Sequence, residues 1–296
     1  MQNGITVAGG NGKGSRLNQL PSPRSIVVDD DQTIYVTDSM NHRILEWKSG
    51  ATSGQVVAGG HGQGQRPHQL MYPSAVIVDK GNDSLIIGDF GNRRVVRWPR
   101  RNGTTGETII SDVLSFGLAI DSYGYVYVCE YDQHSVIRWK IGEKNGTVVA
   151  GGNGLGNRLD QLNNPIHLFV DRDRSLYVSD GGNHRVIKWV KGAKEGIVVA
   201  GGHGQGNGPN QFSYPRGVVV DELGTVYVAD YTNNRVMRWT KGATEGDMIV
   251  GDVEKGAQSN QLNGCWDLSF DGQGNLFVSD ANNQRVQKFN IEPNSV

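Results

Sequence analysis

The fold of this chain is indicated by the stretch Asp230-Tyr-Thr-Asn233-Asn-Arg235-Val236, because closely similar stretches recur along the sequence. Further copies begin at Asp38, Asp89, Asp180 and Asp280, and a degenerate copy begins at Glu130. Successive copies start 51, 41, 50, 50 and 50 residues apart. Self-similarity at such a period is typical of repeat architectures. The one short interval indicates that the third repeat has lost a loop.

Each repeat also contains four short runs rich in Val, Ile and Tyr. In the fifth repeat these runs are Gly217–Asp221, Thr225–Ala229, Arg235–Trp239 and Asp247–Val250. The runs are too short for helices and are separated by turn residues, so they read as strands. Four-stranded units of this period are the signature of β-propellers. We therefore predict an all-β, six-bladed β-propeller of four-stranded antiparallel blades. It forms one domain over residues 1–296, with inner strands beginning near residues 24, 74, 116, 166, 216 and 266.

The two ends of the chain fit this arrangement. The sequence opens with Ile5-Thr-Val-Ala8, which matches outer strands such as Val198-Val-Ala200, and the last recognisable strand is the third of its repeat, Arg285–Phe289. Blade six therefore lacks a fourth strand of its own. We predict that the N-terminal strand completes blade six, which closes the ring and pairs an edge that would otherwise be free.

The repeat resembles the NHL repeat over nearly the whole chain. The resemblance lies in Pro215-x-x-Val218-x-Val220-Asp221, in Tyr227-Val-Ala-Asp230 and in Asn233-x-Arg235-Val236. It implies a propeller that serves as a platform for protein or RNA, and related propellers include the peptidylglycine amidating lyase and lactonase-type hydrolases. The fold alone leaves these functions open. The third repeat departs from the pattern at three positions, which are Glu130, Gln133 and Ser135.

The net charge and the distribution of apolar residues limit the classes of partner that the sequence favours. Lys and Arg total 29 against 30 for Asp and Glu, so the net charge of -1 does not favour a nucleic acid, although RNA stays open as a partner. No apolar run is long enough to cross a membrane, and we expect no membrane partner. The cysteines Cys129 and Cys265 are too few for a disulfide framework. We expect a monomer, and the sequence does not indicate a compartment.

Two repeated features have structural interpretations. The Gly-rich loops, such as Gly201-Gly-His-Gly204-Gln-Gly206, resemble phosphate cradles, but no helix is predicted after them, and a cradle needs one. We interpret them as turns. The Asp-x-x-Asn-x-Arg segments occur in near-identical copies, which favours loop-forming ion pairs over a catalytic set. As exposed pairs they would contribute roughly 0 to 1 kcal/mol each. In a meander both kinds of loop lie at the same end of the propeller, here called the top face.

The inner-strand entrances differ from blade to blade, and a ring of similar repeats acquires a site where its repeats differ. We expect these positions to surround the mouth of the central channel on the top face. Arginine can hold an anion with a forked geometry, and tryptophan can offer a stacking face. The candidate ligand-binding residues are Arg24, Ser25, Phe116, His167, Arg216, Trp266 and Asp267.

The residues point to binding rather than catalysis. Metal catalysis requires about three convergent ligands, and His167 is the only histidine at the entrances. No Gly-x-Ser-x-Gly nucleophile elbow is present. We predict a non-enzymatic binding or scaffolding module, with no catalytic residue and no cofactor, that takes a protein or small ligand on its top face. An RNA-binding platform, and a lyase or lactonase with a divalent metal in the channel, are the alternatives.

Overall fold

Twenty-four strands lie in residues 2–251 and 254–291, which are the residues that the computed structural model describes. In chain order they are β1 (Ile5–Gly9), β2 (Ile26–Val28), β3 (Ile34–Asp38), β4 (Arg43–Trp47), β5 (Gln55–Gly59), β6 (Ala75–Asp79), β7 (Ser84–Asp89), β8 (Arg94–Pro99), β9 (Glu107–Ser111), β10 (Ser115–Ile120), β11 (Tyr125–Glu130), β12 (Ser135–Lys140), β13 (Thr147–Gly151), β14 (Pro165–Val170), β15 (Leu176–Asp180), β16 (Arg185–Trp189), β17 (Ile197–Gly201), β18 (Pro215–Val220), β19 (Val226–Asp230), β20 (Arg235–Trp239), β21 (Asp247–Gly251), β22 (Cys265–Phe270), β23 (Leu276–Asp280) and β24 (Arg285–Phe289). Single turns of 3-10 helix occupy Ser39–Asn41, Lys80–Asn82, Phe90–Asn92, Gly181–Asn183 and Ala281–Asn283. No helix in the described residues has the length and apolar character needed to cross a membrane.

The strands form six four-stranded antiparallel sheets, one per blade. Blades one to five are meanders of consecutive strands, β2–β5, β6–β9, β10–β13, β14–β17 and β18–β21. Blade six consists of β22, β23 and β24, with β1 as its outer strand. In that sheet Ile5 pairs with Lys288 and Gly9 with Arg285. The predicted six-bladed propeller and its closure by the N-terminal strand are therefore confirmed.

The hydrophobic core lies between the blades rather than at the centre. One cluster joins Tyr127 and Cys129 of blade three to Leu168 and Val178 of blade four, and equivalent clusters fill the other interfaces. Strands buried on both faces need apolar side chains on both, which explains why these runs lack polar alternation. Each blade is thus stabilised mainly by its two neighbours.

Tryptophans at the end of the third strand anchor these interfaces. Trp47, Trp98, Trp189 and Trp239 are buried, and Phe289 is buried at the same position of blade six. Gly106 lies against the Trp98 ring, where an added Cβ would come within 2.5 Å. In blade three, which also lacks the loop, Trp139 is only partly buried. The tryptophan positions are therefore packing positions, with the weakest packing in the irregular blade.

The Asp-x-x-Asn-x-Arg segment holds the crossover loop that enters its own blade. In blade five, Asp230 Oδ2 accepts hydrogen bonds from Asn233 Nδ2 at 2.7 Å and Arg235 Nε at 2.8 Å. Asn233 also donates to the Gly206 carbonyl of the crossover at 2.8 Å. The second carboxylate oxygen, Oδ1, accepts from the Ser213 backbone N–H at 2.7 Å. One buried carboxylate thus connects a strand, a turn and a loop.

These ion pairs are buried, which corrects the expectation of exposed pairs. The five carboxylates are fully buried, and the arginine side chains beside them are 8 to 14 per cent exposed in blades one and two. Burial raises the pKa of Asp38, Asp180, Asp230 and Asp280, and the bonds from Asn and Arg oppose that rise. Removing one partner of a buried pair costs about 3 to 5 kcal/mol, because a buried charge is left uncompensated.

The Gly-rich crossover loops are turns, and no helix follows them in the described part of the chain. In the first loop, Gly9, Gly10 and Gly12 have φ values of 72°, 79° and 74°. Gln19 folds back over this loop and donates to the carbonyl of Asn11 at 3.1 Å. The glycines therefore provide backbone conformations that other residues rarely adopt.

Candidate ligand-binding site at the channel mouth

The structure separates the seven sequence-predicted residues into two groups. Arg24, Phe116, Arg216 and Trp266 lie at equivalent positions around the mouth, and all four are partly exposed. Ser25, His167 and Asp267 each follow one of these positions by one residue. Because successive side chains of a strand point to opposite faces, the two groups make different contacts. The mouth group packs with aromatic rings on the top face, and the second group links neighbouring blades.

The second group accepts hydrogen bonds from the inner strand of the next blade. Ser25 Oγ accepts from the Val76 N–H at 3.3 Å. Asp267 Oδ2 accepts from the Ile26 N–H at 3.0 Å, which ties blade six to blade one. Asp267 Oδ1 accepts from the N–H of Leu268 at 2.8 Å. These side chains satisfy backbone groups that line the ring, so their first role is structural.

The His167 side chain of blade four reaches past blade five to Asp267 of blade six. Its Nε2 lies 3.1 Å from Asp267 Oδ1, and its Nδ1 accepts a hydrogen bond from the Val218 N–H at 3.4 Å. This pairing assigns the ring proton to Nε2. Blade five has Gly217 at the position between them, where an added Cβ would lie 2.8 Å from Asp267 Oδ1. Both ring nitrogens are engaged, so His167 offers no free lone pair to a metal or a substrate.

The mouth group contains a stack of arginine and aromatic side chains. Arg216 Cζ lies 3.5 Å from the ring centre of Trp266 and 3.7 Å from that of Tyr231. Arg24 Cζ lies 4.8 Å from the centre of the Trp266 ring. Blade six is flanked by blades five and one, so guanidinium groups from both neighbours pack on Trp266. Stacking against rings holds each guanidinium plane and leaves its N–H edges available.

Neither guanidinium has a counter-ion in the part of the chain that the structure describes. Within residues 2–251 and 254–291, the side chains of Arg24 and Arg216 form no hydrogen bond and no ion pair, in contrast to the buried arginines of the repeats. Burial, together with the nearby charge of Arg24, lowers the pKa of Arg216 to about 10. Burial also lowers the pKa of Arg24. Both remain protonated at pH 7, so two adjacent positive charges are held without partners among the described residues.

The opposite side of the mouth is aromatic. The Phe116 ring packs against Phe90 and Tyr131, with ring centres 4.8 Å away in each case. Phe90, Tyr131 and Tyr231 were not among the predicted site residues. All three directly follow the repeated acid, a position that holds small residues, Ser39, Gly181 and Ala281, in the other blades. This variation within an otherwise constant motif was the signal that could have identified them.

No cluster of three or more His, Cys, Asp or Glu side chains suited to a metal ion occurs in the described ranges 2–251 and 254–291. The carboxylate of Asp267, which lies next to the mouth, is fully engaged by backbone N–H groups and His167. The residues around the mouth therefore provide cationic donors and aromatic surface rather than a ligand set for a divalent cation.

Comparison with known sequences identifies the repeats. The profile of the NHL repeat matches residues 20–47, 212–238 and 262–289. Each match begins at the end of a crossover and continues through the inner strand, the second strand and the Asp-x-x-Asn-x-Arg segment of one blade.

The chain is a six-bladed β-propeller with NHL repeats in three of its blades.

Solved structures share the fold of this NHL propeller at low sequence identity. A protein of unknown function from Bacteroides thetaiotaomicron is 17% identical over 99% of this chain and 76% of its own, with a TM-score of 0.78. An auxiliary nutrient binding protein from the same organism is 15% identical, over 99% and 77%, with a TM-score of 0.76. A gluconolactonase from Xanthomonas campestris is 13% identical, over 99% and 96%, with a TM-score of 0.68. A search of curated protein sequences found no match. At these identities the likeness extends to the fold alone.

Proposed function

We propose that this NHL propeller is a binding module that holds a small anionic ligand at the channel mouth of its top face. The observation that carries the proposal is the pair of guanidinium groups, Arg24 and Arg216, that are largely buried beside Trp266 with no counter-ion among residues 2–251 and 254–291. An unpaired charge in such a place is costly, and an anion that accepts from both arginines would compensate it.

Two further points support binding over catalysis. The mouth residues supply charge and aromatic surface, and His167 has both nitrogens committed to the protein. The nutrient-binding protein from Bacteroides thetaiotaomicron shares this propeller fold. A binding function is consistent with that likeness, which by itself concerns only the fold.

Isothermal titration calorimetry with a panel of small anions, namely acetate, 4-phenylbutyrate and inorganic phosphate, tests the proposal. We expect the wild-type protein to bind at least one of them. Replacing Arg216 by Met preserves much of the packing and removes the charge. Hydrogen bonds to charged groups contribute about 1.5 to 3 kcal/mol each, so R216M should weaken binding by roughly 10- to 100-fold.

R172M is the matched control, because the Arg172 side chain is 88% exposed and lies away from the mouth. It should bind like the wild type. Absence of binding to every anion, or equal affinity of R216M and R172M, would contradict the proposal.

A further inference from the structure

The mouth is divided into a cationic half and an aromatic half. Blades five, six and one contribute Arg216, Trp266 and Arg24. Blades two to four contribute Phe90, then Phe116 and Tyr131, then Ile166, all partly exposed. A ligand held by the arginines therefore faces aromatic surface on its other side.

The crossover beside the aromatic half is much shorter than the other crossovers of the top face. Crossovers into five of the blades contain 13 to 16 residues between outer and inner strands, whereas Ser111 and Ser115 are separated by three. The short crossover is held by Glu130, which accepts from the Leu114 N–H at 2.8 Å and the Gln133 N–H at 2.9 Å. Glu130 is buried and its carboxylate oxygens accept these two hydrogen bonds, so it places no free negative charge beside the short crossover. The missing loop leaves room beside Phe116.

The channel below the mouth continues the apolar surface. Each inner strand has a partly exposed residue below the mouth. It lies two positions beyond Ala75, Gly117, His167 or the equivalent residue of the other blades. Neighbouring blades cover both faces of each inner strand, so this exposure is to the channel. Five of the six are apolar, and they are Val27, Ile77, Ala119, Phe169 and Val219, with Ser269 in blade six. A highly hydroxylated ligand would find few hydrogen-bond partners here.

From this division we infer that the ligand is an amphipathic organic anion, with a carboxylate-type head on Arg24 and Arg216 and an apolar body against Phe116. The inference rests on the proposed function and specifies its ligand class. The head is bound by charge, and the body contributes through the apolar area that it buries. Burying about 100 Å² of apolar surface is worth some 2.5 kcal/mol, or roughly 70-fold in affinity.

Calorimetry with three related probes tests the inference. 4-Phenylbutyrate carries head and body, acetate carries the head alone, and 4-phenylbutanol carries the body without charge. We expect 4-phenylbutyrate to bind about 10- to 100-fold more tightly than either of the others. F116A should lower the affinity for 4-phenylbutyrate and leave that for acetate unchanged. F116L should keep most of the wild-type affinity, because it preserves an apolar contact. L223A, which removes an exposed apolar side chain from the opposite end of the propeller, is the matched control.

The outcomes separate the two proposals. If acetate or inorganic phosphate binds as tightly as 4-phenylbutyrate, or if F116A binds 4-phenylbutyrate like L223A, the amphipathic ligand class is wrong and the anion site stands. If 4-phenylbutanol binds as tightly as 4-phenylbutyrate, the arginines do not select the ligand and both proposals are wrong. If none of the probes binds, the anion site itself is refuted.

Discussion

A single proline explains an orphaned carboxylate oxygen in blade one. In blades two, four, five and six, Oδ1 of the repeated Asp accepts a backbone N–H from Met71, Asn163, Ser213 or Asn263. The equivalent residue of blade one is Pro21, which has no N–H to donate. Asp38 Oδ1 is accordingly buried without a hydrogen-bond partner among the residues that the structure describes. A buried unsatisfied acceptor costs about 1 to 3 kcal/mol.

Replacing Pro21 by Asn, the residue found in blades four and six, should repair this defect. We expect P21N to lower the pKa of Asp38, because a new hydrogen bond favours the charged form. We also expect the free energy of unfolding to rise by about 1 kcal/mol, since the gained bond outweighs the lost rigidity of proline. NMR titration of the Asp38 carboxyl and urea denaturation measure the two effects.

The reverse change in blade two is the control. M71P removes the N–H that donates to Asp89 at 2.6 Å and should lower the free energy of unfolding by about 1 to 3 kcal/mol. An unchanged Asp38 pKa in P21N would show that the missing donor is not the cause of the orphaned oxygen.

At the scale of the elements, a repeated contact joins the turn of blades one, three, four and five to the crossover that follows the blade. Nδ1 of His42 accepts from the Tyr72 N–H at 3.1 Å, and Nδ1 of His184 accepts from the Tyr214 N–H at 3.2 Å. His134 makes the same contact with the Asn164 N–H at 3.3 Å. In blade five, Asn234 Oδ1 takes this role toward the Gly264 N–H at 2.7 Å. An imidazole can accept at Nδ1 only while that nitrogen is unprotonated.

These histidine contacts predict a loss of stability in mild acid. Burial lowers the pKa of His42, partly offset by Asp89, and burial also lowers the pKa of His184. The unfolded chain therefore takes up protons first, near pH 6.5. The stabilising contribution is complete above pH 6.5 and is lost as the pH falls through the lower folded-state pKa values. Urea denaturation between pH 7.5 and pH 5 should show this decline.

The double variant H42N/H184N copies the natural arrangement of blade five and removes both titrating groups. We expect its free energy of unfolding to fall less between pH 7.5 and pH 5 than that of the wild type. H61N, which replaces an exposed histidine of a Gly-rich loop, should retain the wild-type profile. Parallel profiles for all three proteins would refute the assignment.

At the scale of the whole molecule, the ring is closed by a strand from the other end of the chain. β1 pairs with β24, Gly4 N–H donates to the Ser259 carbonyl at 2.8 Å, and Ala8 is buried in the core between blades six and one. Without β1, blade six would present the unpaired edge of β24 to solvent.

Deleting residues 1–10 should therefore lower the melting temperature by roughly 10 °C or more, because several hydrogen bonds and part of a blade interface are lost. Differential scanning calorimetry measures the shift. A synthetic peptide of residues 1–10 should restore the melting temperature in a concentration-dependent way, since it binds only the folded ring. A deletion variant that melts like the intact chain would show that the closure contributes little.

The sequence by itself determined the repeat, the six blades, the strand order and the closing role of Ile5–Gly9. The blades depend on contacts within one meander, where strands that pair are close in the chain. The closing role of Ile5–Gly9 follows from the strand count, because the last repeat contains only three strands. The sequence also placed candidate ligand-binding residues at the inner-strand entrances, because these differ between repeats, and their role in binding stays a prediction. It did not establish that the Asp–Arg pairs are buried, because burial depends on how the crossovers fold over them.

Only the tertiary structure decided which side chains contact one another across the ring. Arg24 and Arg216 converge on Trp266 although they come from blades one and five, and His167 crosses Gly217 to reach Asp267. Such contacts join residues from separate repeats, and no local pattern encodes them. Phe90, Tyr131 and Tyr231 join the candidate site for the same reason. Ring closure sets which side chains face one another, and it is a property of all six blades together.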